Sequence, residues 1–183
     1  MNEIKAVCVF CGARNDVPQT HLDVGKAFGA LLAKRGIRLV YGGGDCGVMG
    51  AVANSVLKAK GLVTGVFPRS LKNLESEHAS LSEIIMVESM HERKRIMFER
   101  SDAIVVLPGG FGTMDEMFEI ITWKQLKFHE KPIVILNHEG YWNPLLALME
   151  NIINTGFARP ETRDLYSIVD SIDAVIEAVN VKK

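Results

Sequence analysis

Nothing in the 183-residue sequence approaches the roughly 18 uninterrupted apolar residues of a membrane span. Neither sign of charge is in excess: 21 Lys plus Arg stand against 22 Asp plus Glu, a net charge of −1, so no general attraction for nucleic acid is expected. Cysteine is scarce, with Cys8, Cys11 and Cys46 only. Cys8 and Cys11 have C-x-x-C spacing, but no second such pair and no His pair completes a zinc site. Buried structural thiols in a reducing cytosol fit better than metal or redox chemistry. Glu3 and Lys5 precede only a short apolar stretch, a poor signal peptide, so a cytoplasmic protein is expected. No linker, repeat or low-complexity tract interrupts the chain. Hydrophobic residues at 48% and charged residues at 23% suit a globular fold, and residues 1–183 read as one domain.

Short β-branched runs alternate with amphipathic stretches. Strands are expected at Lys5–Cys11, Ile37–Tyr41, Leu62–Phe67, Glu83–Glu88, Ala103–Leu107 and Pro132–Leu136. Helices are expected at Thr20–Arg35, Val48–Lys60, Ser89–Arg100, Thr113–Phe128, Tyr141–Thr155 and Ile172–Val179, the first two stopped by Gly36 and Gly61. The β-α-β-α rhythm implies an α/β, Rossmann-like, doubly wound parallel sheet with helices on both faces. Ile104–Leu107 and Ile133–Leu136 are apolar throughout, as central strands covered on both sides should be.

Ligands in such a sheet sit beyond the carboxyl ends of the strands, where three segments fall. Gly42-x-Gly44-x-x-Gly47 matches the dinucleotide fingerprint, but the acid that would confirm it is missing: the next strand ends at Phe67-Pro68-Arg69. A tight turn or a nucleotide-contacting loop of another kind accounts for it as well. Pro108-Gly109-Gly110-Phe111-Gly112-Thr113 is more specific. Its glycines let the backbone approach a ligand, and the free N–H groups of the following helix suit a phosphate. It lacks the Gly-Lys-Ser/Thr of a P-loop, which argues against nucleoside triphosphate hydrolysis.

Thr113-x-x-Glu116 has capping-box spacing, as does Ser89-x-x-Glu92. Glu116, in the first turn after a phosphate-type loop, is also within reach of a sugar attached to that phosphate. Arg93 and Lys94 stand at the wrong end of their helix for its dipole and need an anionic ligand or a carboxylate partner, unless they form a solvated surface pair.

Pro108-Gly109-Gly110-Phe111-Gly112-Thr113-Met114-Asp115-Glu116 resembles the P-G-G-x-G-T-x-x-E signature of the Lonely Guy (LOG) proteins. The likeness extends to Gly42–Gly50, Met90–Lys94, Ile121–Leu126, His129–Pro132 and Gly140–Asn143, and so covers nearly the whole chain. Met114-Asp115 replaces the more usual Leu-Glu. The resemblance implies hydrolysis of cytokinin riboside 5′-monophosphates, with Arg93 and Glu116 as the catalytic pair. Substrate contacts would come from Glu75, Arg93, Lys94, Gly109, Gly110, Phe111, Gly112, Thr113, Met114, Asp115, Glu116 and Thr122, with Gly43 and Gly44 from the first loop. No metal or other cofactor is implied, and homodimers or dimer-based assemblies are.

Departure of the base leaves positive charge on the ribose, which a fixed carboxylate stabilises. The competing reading is a non-catalytic carrier of a nucleotide or nucleotide-linked cofactor; a nicotinamide-linked oxidoreductase ranks below it. A lysine decarboxylase has no support in a phosphate loop with an Arg–Glu pair. For a prenylated adenine, Met49, Met86, Met90 and Met97 are candidate pocket residues, although methionines at such positions are more often core filler. The helix from Thr113 carries more apolar residues than one stripe facing a sheet needs, which also points to a dimer.

Overall fold

Seven parallel strands form one sheet in the computed structural model, which describes residues 4–71 and 77–180. The strands are β1 (Ala6–Phe10), β2 (Arg38–Tyr41), β3 (Val63–Pro68), β4 (Glu83–Val87), β5 (Ala103–Val106), β6 (Ile133–Leu136) and β7 (Ser167–Val169). Their spatial order is β4-β3-β2-β1-β5-β6-β7, every neighbouring pair parallel. The fold is thus the expected Rossmann-like doubly wound sheet. Its order reverses between β1 and β5, which places the ligand crevice over their carboxyl ends.

The helices are α1 (Gln19–Lys34), α2 (Gly47–Lys58), α3 (Met90–Glu99), α4 (Phe111–Gln125), α5 (Asn143–Asn154) and α6 (Ile172–Asn180). Alternation along each strand feeds two cores. Val7, Val9, Leu39, Val105 and Val134 pack with Phe28 of α1, Val52 of α2 and Val175 of α6. Phe10, Ile104, Val106 and Ile135 pack with Met97 of α3, Met117 of α4 and Met149 of α5. Cys8 faces the second core and Cys11 the first, so the C-x-x-C pair is split across the sheet. Burial pushes both thiols up, which keeps them neutral.

Several boundaries differ from expectation. β7 is an addition to the expected strands, because three residues with one polar member carry no periodic signal. Gly36 takes the left-handed position after α1, with φ 67°, but after α2 that position falls to Lys60, with φ 59°. Gly61 is needed for space instead: a Cβ there would stand 2.7 Å from a Val56 methyl. Ser89 caps α3 as expected, its Oγ accepting the Glu92 N–H at 3.1 Å; Glu92 returns to the Glu88 N–H rather than to Ser89. The second box does not form. α4 starts at Phe111 with Gly110 as its cap, so Thr113 is already inside the helix. Among the described residues no helix is long and apolar enough to cross a membrane.

Candidate functional site

Three loops interlock at the carboxyl edge. After β1, the Gly12 N–H donates to Pro108 O at 3.0 Å, and Gly12 O accepts the Met49 N–H at 3.2 Å. Asn15 Oδ1 accepts the Gly47 N–H at 2.8 Å. A Cβ on Gly109 would run into Thr113 Oγ1 and stand 2.9 Å from Gly12 N, so this glycine is required by close approach. Above Gly110 and Gly112, by contrast, an added Cβ meets nothing within 4 Å. The peptide N–H groups of Gly109 and Gly110 donate to no protein acceptor among the described residues, and those of the first turn of α4 have none within the helix. Residues 110–112 are exposed, so the positive end of α4 and its free donors are accessible from solvent, an arrangement that suits a phosphate.

Arg93 and Glu116 meet beside this loop. Arg93 rises from the first turn of α3 yet is only 8% exposed. Its Nε donates to Val66 O and its Nη2 to Gly42 O, each at 3.2 Å, which fixes the guanidinium plane. Its Nη1 lies 3.8 Å from Glu116 Oε1. A Cβ on Gly42 would run into that guanidinium. The triple-glycine loop therefore makes room for Arg93, which accounts for its first glycine without a dinucleotide. Glu116, one turn into α4 and also 8% exposed, is pushed by burial up to about 7, although the Arg93 charge pulls the other way. A buried carboxyl beside a fixed guanidinium, at the strand edge where ligands of such sheets bind, is a candidate functional group.

Lys94 is buried next to the pair. It donates to Asp115 Oδ2 at 3.1 Å and lies 3.2 Å from Glu119 Oε2, an ion pair out of hydrogen-bond alignment. Burial works against its charge, but the two carboxylates outweigh it and raise its pKa. Gly43 and Gly44 are buried: Gly43 O accepts the His78 N–H at 2.9 Å, and Gly44 forms a bridge with Glu77. Phe111 is 87% exposed at the start of α4, while Met114 is half-buried against the second core. Thr122 is not brought to the pair within this chain: it is exposed, and its hydroxyl donates to Phe118 O at 2.7 Å. Six residues beyond Glu116, it stands about 9 Å farther along the helix. Glu75 lies outside the described residues. Of the methionines, Met49 and Met97 are core residues, whereas Met90 is exposed with its sulfur 4.0 Å from Arg93 Nη1.

Gly12, His78 and Tyr141 also belong to this edge, although no sequence pattern places them there. His78 is 6% exposed; its Nε2 lies 3.2 Å from Asn54 Oδ1 and its Nδ1 accepts the Ser80 N–H. It clamps the segment after residue 76 onto the glycine loop. The signal for Gly12 would have been the strand order, which places the β1 loop against the β5 loop. A cavity of about 270 Å³ lies at the opposite edge, lined by Lys124, Glu130 and Tyr166 among others, away from the glycine loops. Among the described residues no group of three or more His, Cys, Asp or Glu could hold a metal ion.

A family model described as possible lysine decarboxylase matches residues 49–179. The chain is 45% identical over 159 residues to a "probable cytokinin riboside 5′-monophosphate phosphoribohydrolase" of Oryza sativa subsp. japonica, covering 87% of this chain and 71% of that protein. It is 40% identical to the cytokinin riboside 5′-monophosphate phosphoribohydrolase of Rhodococcoides fascians, over 96% of this chain and 89% of the relative. Among solved structures, the molybdenum cofactor binding protein of Rippkaea orientalis superposes with a TM-score of 0.73 at 23% identity, over 97% of this chain and 96% of its own. That likeness is one of fold.

Proposed function

The chain belongs to the Lonely Guy family, and from that premise we propose that it is an N-glycosidic hydrolase of purine nucleoside 5′-monophosphates. Water replaces the adenine or N6-prenyladenine base at the anomeric carbon, and the products are free base and ribose 5-phosphate. The observation that carries this reading is the buried Arg93–Glu116 contact of 3.8 Å beside the Gly109–Thr113 loop. The 5′-phosphate takes the free N–H groups of the loop and the first turn of α4. Four residues from Gly112 to Glu116 rise about 6 Å, which sets the carboxylate at the level of the ribose. As the glycosidic bond breaks, ionised Glu116 stabilises the positive charge on the sugar and accepts a proton from the incoming water, while the base, which leaves with the bond's electron pair, takes up a proton from solvent as that of Glu116 is returned. Arg93, held by Val66 O and Gly42 O, orients that carboxylate. Lys94, buried and engaged by Asp115 and Glu119, ties α3 to α4 next to the pair.

A carrier would use the same glycine loop but has no need of a buried carboxyl raised toward neutrality, and the phosphoribohydrolase relatives favour the enzyme. Incubation with AMP, isopentenyl-AMP, GMP and CMP, followed by an assay of ribose 5-phosphate, tests the proposal. Release from adenine nucleotides supports it; none from any nucleotide overturns it. Adenosine is turned over far more slowly than AMP, because the loop donors have no phosphate to bind and that remote binding energy is lost.

We further propose at least a homodimer. Met117, Ile120 and Ile121 of α4 are buried, while Leu126 and Phe128 just beyond its end are 56% and 74% exposed, apolar surface that a second copy would cover. Light scattering coupled to size exclusion distinguishes a 20.2 kDa chain from its multiples.

A further inference from the structure

We infer that Tyr141 is a positioning residue for the phosphate loop, setting the direction of the Gly110 N–H from the far side of the sheet edge. The inference rests on the reading of Gly109–Thr113 as an anion site. Tyr141 stands beyond β6, where a turn through Glu139 (φ 52°) and Gly140 (φ 72°) carries it back over β5. Its hydroxyl donates to Gly109 O at 2.7 Å. In a trans peptide the C=O and N–H point in opposite directions. Holding the Gly109 carbonyl toward Tyr141 therefore turns the Gly110 N–H away from it, into the open space over the loop. The preceding peptide is set in the same manner, since Pro108 O accepts the Gly12 N–H at 3.0 Å and the Gly109 N–H faces the other way. Two successive donors are thus aimed by partners that grip the carbonyls of their own peptides, one from β1 and one from β6.

The ring gives that grip a single direction. It meets His21 of α1 edge-on at 5.0 Å between centroids and Trp142 at 4.8 Å. The hydroxyl contributes little to the fold itself: Tyr141 is 40% exposed, and water can replace it on an exposed carbonyl. What water cannot supply is a fixed orientation, and a loop built from glycines has few restraints of its own.

Tyr141→Phe keeps the ring contacts and removes only the hydroxyl. Titration calorimetry of the full chain with inorganic phosphate and with ribose 5-phosphate should show both affinities weakened about three- to tenfold in the variant, with Tm unchanged. In AMP hydrolysis KM rises by the same factor while kcat changes little. Equal affinities in the two proteins, or a lowered Tm with affinity intact, overturn the inference. A second measurement needs no variant: phosphate must shift the Gly109 and Gly110 amide resonances of the wild type, and unmoved resonances also overturn it. Wild-type protein that binds phosphate yet leaves every nucleotide intact would end the hydrolase reading and leave the role of Tyr141 standing. Wild-type protein that binds neither anion ends the inference, whatever its activity.

Discussion

Arg93 Nη1 lies 3.8 Å from Glu116 Oε1, while its Nε and Nη2 are bound to the carbonyls of Val66 and Gly42. The guanidinium is therefore a fixed strut between the ends of β2 and β3 and the second turn of α4. It faces a buried carboxyl whose other charged neighbours are Lys94, Asp115 and Glu119. That relationship separates the two explanations open to Glu116. It does not cap α4, whose cap is Gly110.

Glu116→Gln should fold and lose hydrolysis of AMP by about 10²–10⁴, the range expected for a positioned acid–base or charge-stabilising group. Circular dichroism with the ribose 5-phosphate assay checks this. A folded variant with near-normal turnover removes Glu116 from the chemistry.

The pH dependence has two opposite signs. Burial holds the Glu116 pKa up at about 7, and the carboxylate is the working form, so kcat/KM rises with pH through about 7 and then levels off. Stability runs the other way. The folded pKa is raised above the ordinary 4.5, so the native state binds the extra proton, and this stabilisation is complete below about 4.5 and lost as pH climbs to about 7. The loss is roughly 3 kcal/mol. Glu116→Gln escapes it, so its Tm advantage over the wild type should grow from pH 5 to pH 8. Thermal melts at the two pH values decide this, and a constant difference in Tm contradicts it.

Gly42→Ala acts on Arg93 from behind. The new methyl occupies the place of the guanidinium, which must leave Gly42 O and with it Glu116. Activity should fall about a hundredfold or more, because about 1 Å of misplacement in a catalytic constellation has an effect of that size. Retained activity would show that Arg93 does not need this position.

Glycines of the second loop should separate by cause. Gly109→Ala collides with Thr113 and the Gly12 backbone, so it should destabilise the protein by several kcal/mol. Gly110→Ala and Gly112→Ala have open space and should leave stability within about 1 kcal/mol of wild type. Both should nonetheless weaken ribose 5-phosphate binding, since the free space is where the phosphate approaches. Calorimetry checks this, and unchanged binding in both variants places the anion elsewhere.

Much of this was written in the residues. Continuous apolar runs such as Ile104–Leu107 and Ile133–Leu136 require a sheet covered on both faces, and helical segments between them require parallel crossovers. Backbone freedom and free donors at Gly109–Thr113 point to an anion site, and two cations at a helix start, Arg93 and Lys94, call for an anionic ligand or a carboxylate partner unless they are a solvated pair; the structure sets Glu116, Asp115 and Glu119 against them. These are local signals, carried by composition and spacing within one element.

Only the tertiary structure decided what depends on elements far apart in the chain. That Gly42 makes room for a guanidinium 51 positions later, and that Tyr141 reaches Gly109 across 32, follows from strand order, which periodicity does not encode. The capping box spelled by Thr113 and Glu116 lost to a helix that begins two residues earlier, because Gly110 can serve as the cap and leaves Glu116 free to face Arg93. The raised pKa of Glu116 likewise has no sequence signature: it comes from burial, and burial is a property of the packed sheet and helices together.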